Sequence, residues 1–236
     1  MLRSGPCWAL LLACCLAGCR TAKTPPTERS AAASTPDTTP VTATDTRPVL
    51  VFLGTSLTAG YGLDAREAYP SLIQHKLDSL GLGYRVVNAG VSGATSADGL
   101  STLDWVLSQN LPISLLVVEL GANDGLRGND AQQTIASLRE NLLAIAQKAR
   151  ARYPSLTLVL AGMTLPPNFG DDFVARFEAV YPEVAKATGA TLIPFLLENV
   201  GGVRALNQAD GIHPTAAGQR IVAENVWRVV RPLLER

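Results

Sequence analysis

"VLVFLGTSLTAGYG", residues 49–62, is the stretch that decides the fold. Five consecutive apolar residues, Val49 to Leu53, run into Gly54-Thr55-Ser56 with no polar spacer. A strand that is apolar on both faces belongs in a sheet covered on both sides, the usual state of parallel sheets. The run stops on a small hydroxyl. Ser56 can cap the next helix, lie beside a phosphate bound at that helix, or act as a nucleophile. A phosphate site wants more glycines or a lysine, as in GxxxxGK or GxGxxG, and neither pattern is present. The nucleophile-elbow pattern GxSxG also fails, because Thr58 stands at the second glycine position.

Outward from this strand the pattern alternates. Apolar runs at 49–53, 84–87, 115–119, 156–161 and 190–193 read as strands. Helical patterns occupy 67–80, 97–108, 131–152, 172–188 and 214–234. In the longest, Ile135, Leu138, Leu142, Ile145 and Ala149 form one stripe at helical spacing, with Asp130 as N-cap. In the last, Val222, Val226, Val229 and Leu233 do the same, and Pro214 suits the first turn. Alternation of this kind predicts an α/β fold: a three-layer α/β/α, flavodoxin-like sandwich around a five-stranded parallel sheet. Ligands of such sheets bind beyond the carboxyl ends of the strands, where strand order reverses. The residues of a site should therefore follow strands. No internal repeat interrupts the pattern.

The chain has 236 residues, of which 47% are apolar, enough for one domain with a sizeable core. Twenty basic and 20 acidic residues cancel, which argues against a nucleic-acid partner. The N-terminus is a separate matter. Arg3 precedes an apolar run from Trp8 to Ala17, too short to span a bilayer. The run ends in Leu16-Ala17-Gly18-Cys19, which resembles a bacterial lipobox. That resemblance implies a signal peptide over 1–19, lipid on Cys19, and export to the cell envelope (periplasm) as a membrane-anchored lipoprotein. All four cysteines, Cys7, Cys14, Cys15 and Cys19, lie in this segment, so the remainder holds no disulfide, thiolate nucleophile or Cys-ligated metal. Residues 20–48 are rich in Thr, Ala, Pro and Ser without hydrophobic period and read as a tether. Residues 49–236 are the domain, expected to act as a monomer.

Four fragments could carry chemistry. Ser56 follows the first strand. "NAGVSGAT", residues 88–95, follows the second, and Gly93 within it lets the backbone turn tightly. "VELGANDGLRG", residues 118–128, closes the third and places Asn123 at a strand end; on its own it reads equally as a turn asparagine beside Gly125. "ADGIHPTAAG", residues 209–218, sets Asp210 three residues before His213. The other histidine, His75, lies on the solvent side of its helix. Each signal is weak alone. Together they put a hydroxyl, a base, a carboxylate to orient the base, and donors for an oxyanion at one edge of one sheet, which is what an ester hydrolase needs.

These fragments resemble the blocks of the SGNH, or GDSL-type, hydrolases, and within them the bacterial thioesterase I / lysophospholipase L1 / arylesterase group. "GTSLTAGYG", "NAGVSGAT", "GANDGLRG" and "DGIHP" match four family blocks in order. The resemblance implies that Ser56 is the nucleophile, His213 the base and Asp210 its partner. It implies oxyanion donors from the backbones of Ser56 and Gly93 and the side chain of Asn123. It also implies no metal and no organic cofactor. Thr55 replaces the aspartate that names the GDSL motif, and Ala94 stands where close relatives often carry another aspartate.

The substrate is less legible. "GMTLPPNFGDDF", residues 162–173, resembles the loop that contacts the acyl chain in relatives, so Leu165, Pro166 and Phe169 are expected to form an apolar wall for the substrate. An exported lipoprotein does not meet acyl-CoA. Lysophospholipids, monoacylglycerols, and aryl or short-chain esters are expected ahead of acyl-CoA, with thioesters kept among the substrates. A carbohydrate-ester deacetylase and an inactive envelope lipoprotein are the alternatives on the same fold.

Overall fold

The computed structural model describes residues 45–235. The signal sequence with Cys19, and the tether as far as residue 44, lie outside the described residues. Strand β1 (Val49–Gly54) is buried along its whole length, as its unbroken apolar run requires. It pairs in parallel with β2 (Arg85–Gly90) on one side and β3 (Ile113–Glu119) on the other. Beyond β3 come β4 (Thr157–Ala161) and β5 (Thr191–Ile193), giving the parallel order 2-1-3-4-5. The expected flavodoxin-like sheet is present. Gly54 aligns with Gly90 of β2 and with Glu119 of β3, so three strands end level and their following loops share one rim.

Among the described residues seven α-helices accompany the sheet: α1 (Ser56–Ala59), α2 (Tyr69–Ser79), α3 (Ser96–Ser108), α4 (Ala122–Arg127), α5 (Ala131–Arg152), α6 (Asp171–Thr188) and α7 (Ala216–Leu234). Helices α2 and α7 pack together in one layer, and α3, α5 and α6 in the other. The α5 stripe is buried from Ile135 to Ala149, and Asp130 Oδ1 accepts the Gln133 N–H at 2.7 Å as its cap. In the opposite layer Phe52 of β1 meets Tyr69 of α2 edge to face, with ring centroids 5.6 Å apart.

Four local expectations are corrected. Pro214 is not in the first turn of α7: it pairs with Asn207 in an isolated antiparallel bridge, and Thr215 caps the helix. The bridge closes the turn that carries Asp210 and His213, so the helix starts after it. Leu80 lies past the end of α2 and is exposed, while Leu77 is buried. On α7, Val230 is buried and Val229 only partly so, because the buried stripe runs at four-residue spacing through Val222, Val226 and Val230. Residues 45–48, read as the end of the tether, lie against β2: Asp45 pairs with Arg85 at 3.5 Å, and the Pro48 carbonyl accepts the Arg85 N–H at 3.0 Å.

Candidate active site

The loops that follow β1, β2, β3 and β5 bring the singled-out residues together. Ser56 is the first residue of α1, directly beyond β1. It does not cap the helix. Thr55 does, its hydroxyl accepting the Leu57 N–H at 3.4 Å. The Ser56 hydroxyl is left to face the far loop, where His213 Nε2 lies 2.9 Å from its Oγ.

The other imidazole nitrogen, Nδ1, lies 2.7 Å from Asp210 Oδ2. The second carboxylate oxygen, Oδ1, accepts the N–H groups of Ile212 at 2.9 Å and His213 at 3.0 Å. Burial pushes the Asp210 carboxyl up, but the bonds from the His213 N–H, the imidazole and the Ile212 N–H outweigh it and hold the group at about 2. The carboxylate is therefore ionised at neutral pH. An ionised acceptor makes Nδ1 the protonated nitrogen, which leaves the lone pair of Nε2 aimed at the Ser56 hydroxyl. Such a chain can draw the hydroxyl proton onto the imidazole as the oxygen attacks a carbonyl.

The imidazole is also held from outside. The Tyr61 ring lies against it, centroids 4.6 Å apart and planes tilted by 40°. Gln208 Nε2 donates to the Tyr61 carbonyl at 2.7 Å, and the Gln208 N–H to the His213 carbonyl at 2.7 Å. Tyr61 and Gln208 were not legible in the sequence: they join segments 147 residues apart, and no local pattern announces the pair.

Gly93 sits in the turn after β2 with φ at +82°, a conformation glycine adopts without strain. Its N–H has no hydrogen-bond partner among the described residues. Its carbonyl accepts from Arg127 Nη1 at 2.7 Å, and the neighbouring Ala94 carbonyl from Asn123 Nδ2 at 2.9 Å. Both donors belong to α4, so α4 grips the glycine turn twice. Helix α4 is in turn pinned to α3, because Asp124 Oδ1 and Oδ2 accept the Ser96 hydroxyl at 2.5 Å and the Ser96 N–H at 2.9 Å.

The loop after β4 departs from expectation. Leu165 does not line an open wall. It is 3% exposed and packs over Gly125 of α4, where the missing side chain leaves room for it. Phe169 is half-buried and leans on Phe173, the first step of an aromatic ladder through Phe177 to Tyr181 along α6. Pro166 is exposed. The large apolar side chains exposed on the loops after β1 and β2 and on the His213 turn are instead Tyr61, at 41%, Val91, at 37%, and Ile212, at 50%.

The profile of the GDSL-like lipase/acylhydrolase family matches residues 52–221. The chain belongs to this family. It is 46% identical over 185 residues to esterase TesA of Pseudomonas aeruginosa, an alignment covering 78% of this chain and 89% of that protein. It is 40% identical to thioesterase 1/protease 1/lysophospholipase L1 of Escherichia coli, over 78% of this chain and 84% of the relative. A crystal structure of TesA superposes with a TM-score of 0.73 at 45% identity, covering 78% of this chain and 99% of the other. The protein is a carboxylic ester hydrolase. In this GDSL-like hydrolase the motif aspartate is Thr55, and the structure shows what Thr55 does. Its N–H and hydroxyl bind the carboxylate of Glu119, the last residue of β3, at 2.8 and 3.0 Å.

Proposed function

We propose that this hydrolase is held at a bacterial envelope membrane by lipid on Cys19 and releases acyl groups from small lipid esters. Lysophospholipids and monoacylglycerols come first, with short-chain and aryl esters accepted. In this reading Ser56 attacks the ester carbonyl while His213 takes its proton and Asp210 stabilises the imidazolium. The Ser56 and Gly93 N–H groups and the Asn123 amide receive the oxyanion. His213 returns the proton to the leaving alcohol, and water, activated by the same imidazole, releases the acid from the acyl-enzyme.

The observation that carries the reading is the unbroken line from Asp210 through His213 to Ser56, with Tyr61, Ile212 and Val91 exposed around it. Apolar side chains around a nucleophile favour an acyl chain over a sugar hydroxyl as the neighbouring group. The lysophospholipase name of the Escherichia coli relative agrees with that preference.

The test is a panel of p-nitrophenyl esters of rising acyl length, with lysophosphatidylcholine and acetylated xylan as natural-type substrates. A phosphonate should label Ser56 and abolish all activity. Turnover of medium-chain esters and of the lysolipid is expected. Activity confined to acetylated xylan would make the protein a carbohydrate deacetylase, and an unlabelled Ser56 in folded protein would end the serine-nucleophile reading. For the anchor, Cys19→Ser should move the protein from the detergent phase to the aqueous phase.

A further inference from the structure

Glu119 is a carboxylate with no exposure to solvent, beneath the turn that carries Ser56, and the triad chemistry does not use it. Its Oε2 accepts the Thr55 N–H at 2.8 Å and the Thr58 hydroxyl at 2.8 Å. The Thr55 hydroxyl lies 3.0 Å from both Oε1 and Oε2. Behind Thr58, the Tyr69 hydroxyl is 2.8 Å from the Thr58 oxygen, which closes the chain Tyr69 to Thr58 to Glu119. Gly54 makes the approach possible: a Cβ there would lie 2.6 Å from Glu119 Oε2. Burying a carboxylate is costly unless its oxygens are bonded, so a site that provides three donors, two from Thr55 and one from Thr58, is built around it.

We propose that Glu119 is a positioning residue for the reaction, gripping Thr55 and Thr58 on either side of Ser56 so that the nucleophile's Oγ and N–H keep one fixed aim. The rest of the turn is bolted in the same manner. Gln219 Nε2 donates to the Leu57 carbonyl at 3.1 Å, and Asn88 Nδ2 to the Thr58 carbonyl at 2.9 Å. Of these partners only Glu119 holds both sides of the serine. It also explains how the turn tolerates threonine where the family motif has aspartate. A second carboxyl at position 55 would face Glu119 and have to share a proton with it, whereas the threonine hydroxyl simply donates.

The inference rests on Ser56 as nucleophile, and the experiment separates the two. The variants are Thr58→Val, Glu119→Leu and Glu119→Gln. Each is assayed with p-nitrophenyl butyrate, with kcat expressed per phosphonate-labelled serine, beside KM and the thermal midpoint. Misplacing a reacting group by about 1 Å costs up to about 10²-fold. Thr58→Val is expected to lower kcat about tenfold with KM nearly unchanged, and Glu119→Leu more. Glu119→Gln is expected to recover most of the loss, because its amide oxygen still accepts from Thr55 N and Thr58 while its NH2 donates to the Thr55 hydroxyl. A merely structural carboxylate would lower the thermal midpoint and leave kcat per labelled serine alone. That result in Thr58→Val, or in Glu119→Leu, overturns the proposal, as does a glutamine variant as slow as leucine. If Glu119→Leu does not fold, Thr58→Val and Glu119→Gln decide. Failure of Ser56 to label in the wild type would sink the nucleophile reading instead.

Discussion

The Asn123 amide divides its two protons between two tasks. One is spent at rest on the Ala94 carbonyl, 2.9 Å away, and keeps the glycine turn in place. The other, in the proposed reaction, is the one that meets the oxyanion. A donor that meets charge only in the transition state acts on kcat and not on KM. Asn123→Ala is therefore expected to lower kcat about 10²–10³-fold, with little change in KM. A modest fall in the thermal midpoint is expected as Ala94 loses its partner. Kinetics and thermal unfolding on one preparation check both. A stability loss without a kcat loss would reduce Asn123 to a turn residue. Glu119 gives a second prediction, in stability against pH. Burial pushes its carboxyl up to about 7, against the pull of the Thr55 and Thr58 bonds. The other titratable groups near it are the buried phenols of Tyr69 and Tyr181, both pushed up by burial and by the Glu119 charge. A pKa raised in the folded state gives stability that is complete below the unfolded value of 4.5 and is lost as pH rises through 7. Folding stability should fall between those limits, by an amount on the order of 3 kcal/mol at most, and the thermal midpoint with it. Glu119→Gln should flatten that slope. Asp210 has the opposite sign: its depressed carboxyl matters only as pH falls toward about 2, outside this window.

Among the elements, those with a strong period were legible and those whose limits depend on distant partners were not. Helix α5 runs from Ala131 to Arg152 as its apolar stripe and Asp130 cap predict. Its start is a local event, and a local test applies. Asp130→Ala removes the acceptor of the Gln133 N–H and should cost about 1 kcal/mol, a shift of about 2–4 °C in the thermal midpoint, with activity unchanged. An unmoved midpoint would mean that tertiary packing alone sets the end of α5. Helix α7 teaches the reverse. Proline at its predicted first turn is a sound local signal, yet Pro214 is claimed by Asn207 from the other side of the turn that carries Asp210 and His213. Leu165 fails for a related reason. A leucine between a strand and two prolines reads as a loop wall, and its burial depends on the absence of a side chain at Gly125, 40 positions earlier in the chain.

At the scale of the whole molecule, the sheet order explains why weak fragments summed to a strong site. The order 2-1-3-4-5 brings the ends of β2, β1 and β3 side by side, so the turns after them meet without any one being distinctive. Ser56, Gly93, Asn123, Asp210 and His213 were readable because each follows a strand. The supports, Glu119, Tyr61, Gln208 and Arg127, were hidden because each acts through a contact that only the folded sheet creates. The same sheet gives the proposed lipid anchor on Cys19 a mechanical consequence. Parallel strands share a direction, so the chain enters β1 at Val49 on one rim while Ser56 stands on the other, about 20 Å away. With lipid on Cys19, as proposed, the domain would be moored by the stern, its working end pointing off from the membrane. To reach a lipid in that same membrane such a domain would have to roll over, and the tether would have to pass around a body roughly 40 Å across. Residues 20–44 span roughly 85 Å at full stretch, which is enough. Deleting residues 22–36 leaves a reach of roughly 35 Å, which is not. That deletion should spare hydrolysis of p-nitrophenyl butyrate and sharply reduce release of fatty acid from lysolipid in the vesicle that carries the anchor. Equal rates with the short and the full tether would mean that the protein works on lipids brought to it.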